Sequence, residues 1–268
     1  MNHGITNDIL CTACKIEVRF KDDQNTEKTG YGTAFFVKNV KGEVCLLTNR
    51  HVVDLDYKQP TSKYKNFKLT QVVVHNKERD KTTGLPTDSN DLLILNHNEF
   101  IFSDNYQNDI ACLKAIRATD LNGKSPRVSF FIDYDVIADE KRINEKLVVC
   151  DLVAFPGFPD WYDKKNNLPI LRTGTIASDP RFDYSYSGSD DGGAIAYEAF
   201  SYGGSSGSPI FAVQKGIKVG EGLKGGDYRE IMLIGINAGH LPITGLRESH
   251  SGISYFYKSS IIIELINK

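Results

Sequence analysis

The hexapeptide Gly204-Ser205-Ser206-Gly207-Ser208-Pro209 has the spacing most suited to chemistry in this chain. Two glycines bracket a pair of serines, and a proline closes the turn between the apolar segments 194–200 and 210–213. Glycine adopts positive φ at little steric cost, so such a turn lets several backbone N–H groups converge on one spot. A hydroxyl beside convergent donors is what acyl transfer requires: a nucleophile, and a hole for the oxyanion formed on attack. Serine alone is a weak nucleophile, so a base oriented by a carboxylate is expected elsewhere in the chain.

The base candidate is His51, in Leu47-Thr48-Asn49-Arg50-His51-Val52-Val53, where an apolar strand ends and an imidazole can project into a cleft. His3, His75, His97 and His250 lie in polar surroundings without that context. Two segments offer the carboxylate, each with an aspartate at the start of an apolar strand: Asn90-Asp91-Leu92-Leu93 and Asn108-Asp109-Ile110-Ala111. An aspartate that orients an imidazole is buried and stays ionised, and either strand start meets that need. Spacing does not choose between them.

The elements that must carry these residues read as strands. Short β-branched and aromatic runs recur between Gly, Asn, Asp and Pro clusters, the pattern of an all-β protein. One set comprises 14–20, 32–37, 44–48, 69–75, 92–95 and 110–113; a second comprises 147–155, 170–176, 194–200, 209–213, 231–236 and 253–257. The polar stretch 118–126 separates them as a linker. The expectation is two packed six-stranded antiparallel β-barrels with the active site in the cleft between them. The N-terminal barrel spans 12–118 and the C-terminal barrel 127–257. A short helix over 258–268 follows, opened by a serine before three isoleucines. The acidic loop 183–193 lacks the ligand spacing of a calcium loop and reads as solvated turn.

A chain of 268 residues buries a substantial core without staples. With 32 Lys+Arg against 34 Asp+Glu and no basic stripe, nucleic-acid and anionic-membrane partners are disfavoured. The first eight residues lack the features of a secretory signal, and no apolar run is long enough to span a bilayer. Five cysteines make an odd count that argues against a closed disulfide set and for a reducing, cytoplasmic setting. Cys11-Thr12-Ala13-Cys14 is a C-x-x-C pair, but no second ligand pair matches it, so neither metal nor cofactor is expected.

Taken together, Gly32-Thr33-Ala34-Phe35-Phe36-Val37, Thr48-Asn49-Arg50-His51-Val52-Val53, Asp109-Ile110-Ala111-Cys112-Leu113 and the serine turn resemble, in order, the motifs of a trypsin-like (chymotrypsin-fold) serine peptidase. The likeness is closer to the bacterial branch that includes the HtrA/Deg proteases than to digestive enzymes, and it runs from about residue 14 to 257. It implies His51 as general base, Asp109 rather than Asp91 as orienting carboxylate, and Ser206 rather than Ser205 or Ser208 as nucleophile. The amides of Gly204 and Ser206 become the oxyanion hole. The implied activity is a serine endopeptidase acting on a peptide or protein substrate. Two alternatives stay open: a protease-fold binding module, and a protease dormant until a partner orders its oxyanion loop.

Departures from the resemblance matter too. Digestive members place an aspartate before the nucleophile to pair with a freed N-terminus; here Ser205 stands there, so that activation route is not expected. No PDZ domain is expected in the residues after Ser206. Phe200 and Ser201 fall at the expected pocket base, with Asn237, Ala238, Gly239 and His240 on the opposite wall. The absence of an acid at the base disfavours a Lys or Arg before the scissile bond. A small or apolar residue is expected there: glutamate-specific relatives carry a serine at the place of Ser201 but a histidine at that of Asn237, so Asn237 weakens an acidic preference while the nearby His240 keeps it open.

Overall fold

The computed structural model describes residues 6–59, 61, 63–116, 118–119, 127–216, 228–243 and 246–268. The chain folds into two β units and little else. Helix α1 (Asn7–Cys11) leads into β1 (Ala13–Lys21), β2 (Glu27–Lys38) and β3 (Val44–Thr48), and α2 (Arg50–Val53) is a single turn. Then come β4 (Lys68–Asn76), β5 (Asp91–Leu95), β6 (Phe100–Phe102), β7 (Ala111–Leu113) and β8 (Ala118–Thr119). These strands form one eight-stranded sheet in the order β6-β7-β3-β2-β1-β4-β5-β8. The second unit opens with α3 (Glu140–Lys146). Strands β9 (Leu152–Gly157), β10 (Ile170–Ile176), β11 (Ala194–Glu198), β12 (Pro209–Ala212), β13 (Met232–Ile243) and β14 (Leu246–Lys258) follow, and α4 (Ser259–Asn267) ends the chain. Its six strands close into a barrel, β10-β11-β14-β13-β12-β9.

The all-β double-barrel architecture and the terminal helix are as the sequence implies. The first unit carries two more strands than its hydrophobic pattern suggests. Phe100–Phe102 is too short to alternate visibly, and Ala118–Thr119 lies at the start of the polar stretch read as linker, where it pairs with β5. The rest of that stretch, 120–126, lies outside the described residues.

Strand β2 shows why the units pack together. Its segment 32–37 is buried throughout, without the alternation of a strand with one wet face. Ala34 and Phe36 point into the first unit's core beside Ile16, Val72 and Leu93. Phe35 and Val37 point the other way, into a shared core with Phe211, Leu233 and Tyr257 of the second barrel. Helix α4 seals that shared core with Ile261, Ile262, Leu265 and Ile266, its three isoleucines taking helical rather than strand form because they have this surface to cover. Its first serine does not cap it; the Ser259 hydroxyl donates to the Ala138 carbonyl at 2.5 Å.

Candidate active site

The imidazole and the carboxylate meet because β3 and β7 are ladder neighbours, with Thr48 opposite Ala111. Each strand delivers its residue to the same end: β3 runs into Asn49 and the α2 turn, and Asp109 stands just before β7. The buried Asn49 side chain donates from Nδ2 to the Asp109 carbonyl at 2.6 Å, locking the two chain segments together. The His51 backbone N–H then donates to Asp109 Oδ1 at 2.9 Å, and His51 Nδ1 lies 2.5 Å from Oδ2. The Asp109 side chain is 10% exposed and that of His51 37%, so the carboxylate is shielded while the ring is open to the surface. With Nδ1 held by the carboxylate, Nε2 is left as the basic nitrogen. Burial pulls the imidazole pKa down, but the Asp109 charge and hydrogen bond outweigh it and hold it above the ordinary value.

Arg50 fastens this corner. Its guanidinium pairs with Asp54 at 3.0 Å and lies over the rings of Phe102, Tyr106 and Tyr57 at 4.4, 4.9 and 4.8 Å. The Tyr57 hydroxyl donates to the Tyr106 carbonyl at 2.7 Å, so α2 and the loop that leads to Asp109 are clamped as one piece. Asp91 begins β5, on the far side of β2, β1 and β4 from β3, and is paired across the ladder with Asn76.

The serine turn is shaped by its glycines. Ser205 N–H donates to the Tyr202 carbonyl at 3.0 Å, closing a turn whose third residue, Gly204, has φ +84°, the sign a type II turn demands. A Cβ on Gly204 would lie 2.2 Å from the Phe158 carbonyl oxygen, and one on Gly207 (φ +87°) 2.0 Å from the Thr33 carbonyl oxygen. Neither position accepts a side chain. Among the described residues the amides of Gly204 and Ser206 make no hydrogen bond, while those of Ser205, Gly207 and Ser208 are all used within the fold. Two free donors on either side of Ser205 are what an oxyanion hole requires.

Exposure separates the three serines. Ser205 and Ser208 are fully buried with their hydroxyls unpartnered, and Ser206 alone is partly exposed. The turn is sewn to the first unit at Thr33, whose N–H donates to the Ser206 carbonyl at 2.9 Å and whose hydroxyl donates to the Gly204 carbonyl at 2.7 Å. A Cβ on Gly32 would lie 3.2 Å from a Val52 methyl and 3.3 Å from the Ser206 carbonyl oxygen. The α2 turn, β2 and the serine turn therefore converge there, bringing the residue after His51 and the Ser206 carbonyl to the same spot. The Ser206 hydroxyl and the imidazole do not hydrogen-bond in this structure.

The other predicted residues divide by role. Asn237 is fully buried and spends its amide internally: Oδ1 accepts from the Tyr197 hydroxyl at 2.8 Å, and Nδ2 donates to Ser201 Oγ and the Ser205 carbonyl, each at 2.9 Å. Its backbone also accepts from Gly207 N–H and donates to the Ser208 carbonyl. Asn237 thus braces the turn from behind. Ser201 and Ala238 are buried, Gly239 is half-buried, and Phe200 and His240 are exposed. His240 stacks on His250, with centroids 4.3 Å apart and planes 17° off parallel. His250, set aside in the sequence for its polar surroundings, is folded back against Ser201 by the β13–β14 hairpin. Its Nε2 faces the Ser201 N–H at 3.0 Å and its Nδ1 the Gly252 N–H at 2.8 Å. Burial, then the neighbouring His240, push its pKa down to about 4.

Cys11 and Cys14 are buried at the α1–β1 junction, and burial pushes their thiols up to about 11 and about 12, so both are protonated at neutral pH. No group of three or more metal-ligating side chains occurs among the described residues.

A closed barrel and a curled sheet, packed face to face with a cleft of this kind, define the chymotrypsin-like double-barrel fold. Solved structures share it. A thermostable serine protease, AL20, from an extremophilic microorganism aligns over 97% of this chain and 97% of its own, with a TM-score of 0.54 and 15% identity. The protease Anisep from Arthrobacter nicotinovorans aligns over 96% and 94%, also with a TM-score of 0.54, at 13% identity. The trypsin-like peptidase domain matches residues 32–220, and the chain belongs to that family. Comparison with curated proteins gives no match.

Proposed function

We propose that this member of the family is a serine endopeptidase. Ser206 Oγ attacks a peptide carbonyl while His51 Nε2 takes its proton, and the new oxyanion settles against the amides of Gly204 and Ser206. His51 returns the proton to the leaving amine, water enters, and the same base drives hydrolysis of the acyl-enzyme. Asp109 holds the imidazole in the tautomer that keeps Nε2 basic and steadies the imidazolium once it forms. No cofactor enters this scheme.

One observation carries the reading. A histidine held through Nδ1 by a shielded aspartate stands beside a turn with one accessible serine flanked by unused amides. The same turn favours an enzyme that needs no activating partner, because Asn237 and Thr33 already brace it. Within the family we place the chain near the bacterial HtrA/Deg branch. A cytoplasmic setting accords with its five unpaired cysteines, four of them buried.

The test is labelling by a fluorophosphonate together with hydrolysis of unfolded casein. Ser206 is the residue expected to carry the label, and Ser206→Ala or His51→Ala should each lower turnover by about 10⁶. Full activity in Ser206→Ala would overturn the assignment. Peptide binding without cleavage or labelling would favour the binding-module reading. Labelling that appears only with an added effector would favour the dormant form.

A further inference from the structure

The two buried cations among the described residues are both paired, Arg229 with Asp151 and Lys258 with Glu140 and Asp183. Arg172, on β10, has no carboxylate partner among the described residues. Its Nη1 donates to the Phe200 carbonyl at 3.2 Å, while its Nε and Nη2 are buried without any acceptor. The guanidinium lies 4.5 Å from the centroid of the Phe155 ring and 6.0 Å from that of Trp161. Burial is what lowers its pKa, to about 10, and the groups opposing that are the phenols of Tyr197 and Tyr202. It remains charged at neutral pH.

Arg172 as a whole is half-buried, but two of its guanidinium nitrogens are out of water without an acceptor, which is costly unless a partner arrives from outside. The position of this guanidinium says which partner. The carbonyl it holds belongs to the residue at the expected pocket base, next to Ser201, four positions before the Gly-Ser-Ser-Gly turn begins at Gly204. Tyr197, which it faces, is bonded to Asn237, the brace of that turn. Above it stands an aromatic rim of Trp161, Tyr202, Phe200 and His250, with ring centroids 5.7, 6.3 and 4.9 Å apart in succession. Trp161, Tyr202 and Phe200 are about half exposed, at 50%, 45% and 54%, so the rim is open to an arriving chain. His240 and His250 add ring nitrogens at its edge and no acid.

We propose that Arg172 is a specificity-determining residue, and that the pocket beside Ser206 selects an acidic side chain, aspartate or glutamate, on the acyl side of the scissile bond. The substrate carboxylate supplies the acceptor that the fold withholds, and the aromatic rim screens the pair from water, where such a pair is worth most. This rests on the peptidase reading above and reverses the sequence-based expectation of a small or apolar residue.

The experiment is cleavage of a proteome-derived peptide library by the full chain, followed by matched fluorogenic peptides with Glu, Gln or Ala before the cleaved bond. Glutamate or aspartate should be enriched at that position, with kcat/KM at least about tenfold above the Gln and Ala peptides. Arg172→Gln should lower the Glu/Gln ratio by about tenfold or more, mainly through KM, and Arg172→Lys should restore part of it. A library cut after small or apolar residues without acidic enrichment would overturn the proposal, as would an Arg172→Gln variant with an unchanged ratio. If Arg172→Gln does not fold, the wild-type profile decides. Fluorophosphonate labelling of Ser206 without acidic preference sinks this inference alone. A chain that neither cuts nor labels sinks the peptidase reading, and calorimetry of the Glu and Gln peptides on Ser206→Ala then tests Arg172 by itself, equal affinity counting against it.

Discussion

Adding one methyl group to Gly204 tests the proposed oxyanion hole at its tightest point. The new Cβ would lie 2.2 Å from the Phe158 carbonyl oxygen and 3.3 Å from Pro159 Cα. A carbon tolerates an oxygen at about 3.3 Å at closest, so the turn must retreat by roughly 1 Å. The backbone at φ +84° adds a penalty of about 1–2 kcal/mol for any residue with a Cβ. A displacement of about 1 Å carries the Gly204 amide away from the position the oxyanion would take, and losing one such donor costs about 10²–10³ in kcat. Gly42 is the control. Its φ is +79° and nothing lies within 4 Å of a Cβ there, so Gly42→Ala carries the strain without the collision. Both variants are to be measured for kcat on a fluorogenic peptide and for melting midpoint. The expected result is that both melt earlier and only Gly204→Ala loses turnover. If Gly204→Ala, folded, keeps turnover within about threefold, or if Gly42→Ala loses as much, the argument from the turn fails.

Asp109→Asn should keep the fold and lower kcat by about 10⁴, because an amide turned toward Nδ1 favours the tautomer with a proton on Nε2; turnover within tenfold of wild type would contradict this. The pH profile follows from the same pair. His51 must be neutral to act as base and its pKa is held above the ordinary imidazole value, so kcat/KM should rise with pH through a midpoint above about 6.5. In Asp109→Asn the raising influence is gone while burial still lowers the pKa, so the residual activity should have its midpoint at lower pH; an unmoved midpoint would show that another group titrates. Ile262→Ala removes a fully buried side chain from the core shared by the two units and should cost about 2–5 kcal/mol in denaturant unfolding, a loss under about 1 kcal/mol arguing that α4 does not seal that core.

Much of the site could be read along the chain because each of its parts is local. Gly204 and Gly207 signal a turn that needs positive φ, His51 ends an apolar run, and Asp109 opens one; these are facts about neighbours in sequence. The strand pattern was equally readable where an apolar run was flanked by turn residues, even for the short β7 and β12. It failed for Phe100–Phe102 and Ala118–Thr119, whose few residues take strand form only because β7 and β5 offer them a ladder.

What the sequence determined by itself was therefore the inventory and its order: an all-β chain with a base, a carboxylate and a nucleophile candidate on successive strand ends. Tertiary structure decided which candidates meet. Neither Asp91 nor Asp109 is marked as the partner of His51 by its own neighbours; the β3–β7 ladder brings only Asp109 to it. Ser205, Ser206 and Ser208 are chemically identical hydroxyls, and only the way Thr33 and Asn237 grip the turn leaves one of them accessible. His250 is brought against Ser201 by the β13–β14 hairpin, and Arg172 against Phe200 by the closure of the second barrel. The physical reason is common to all four cases: burial and proximity are set by strands paired across long stretches of sequence, and no local pattern records them.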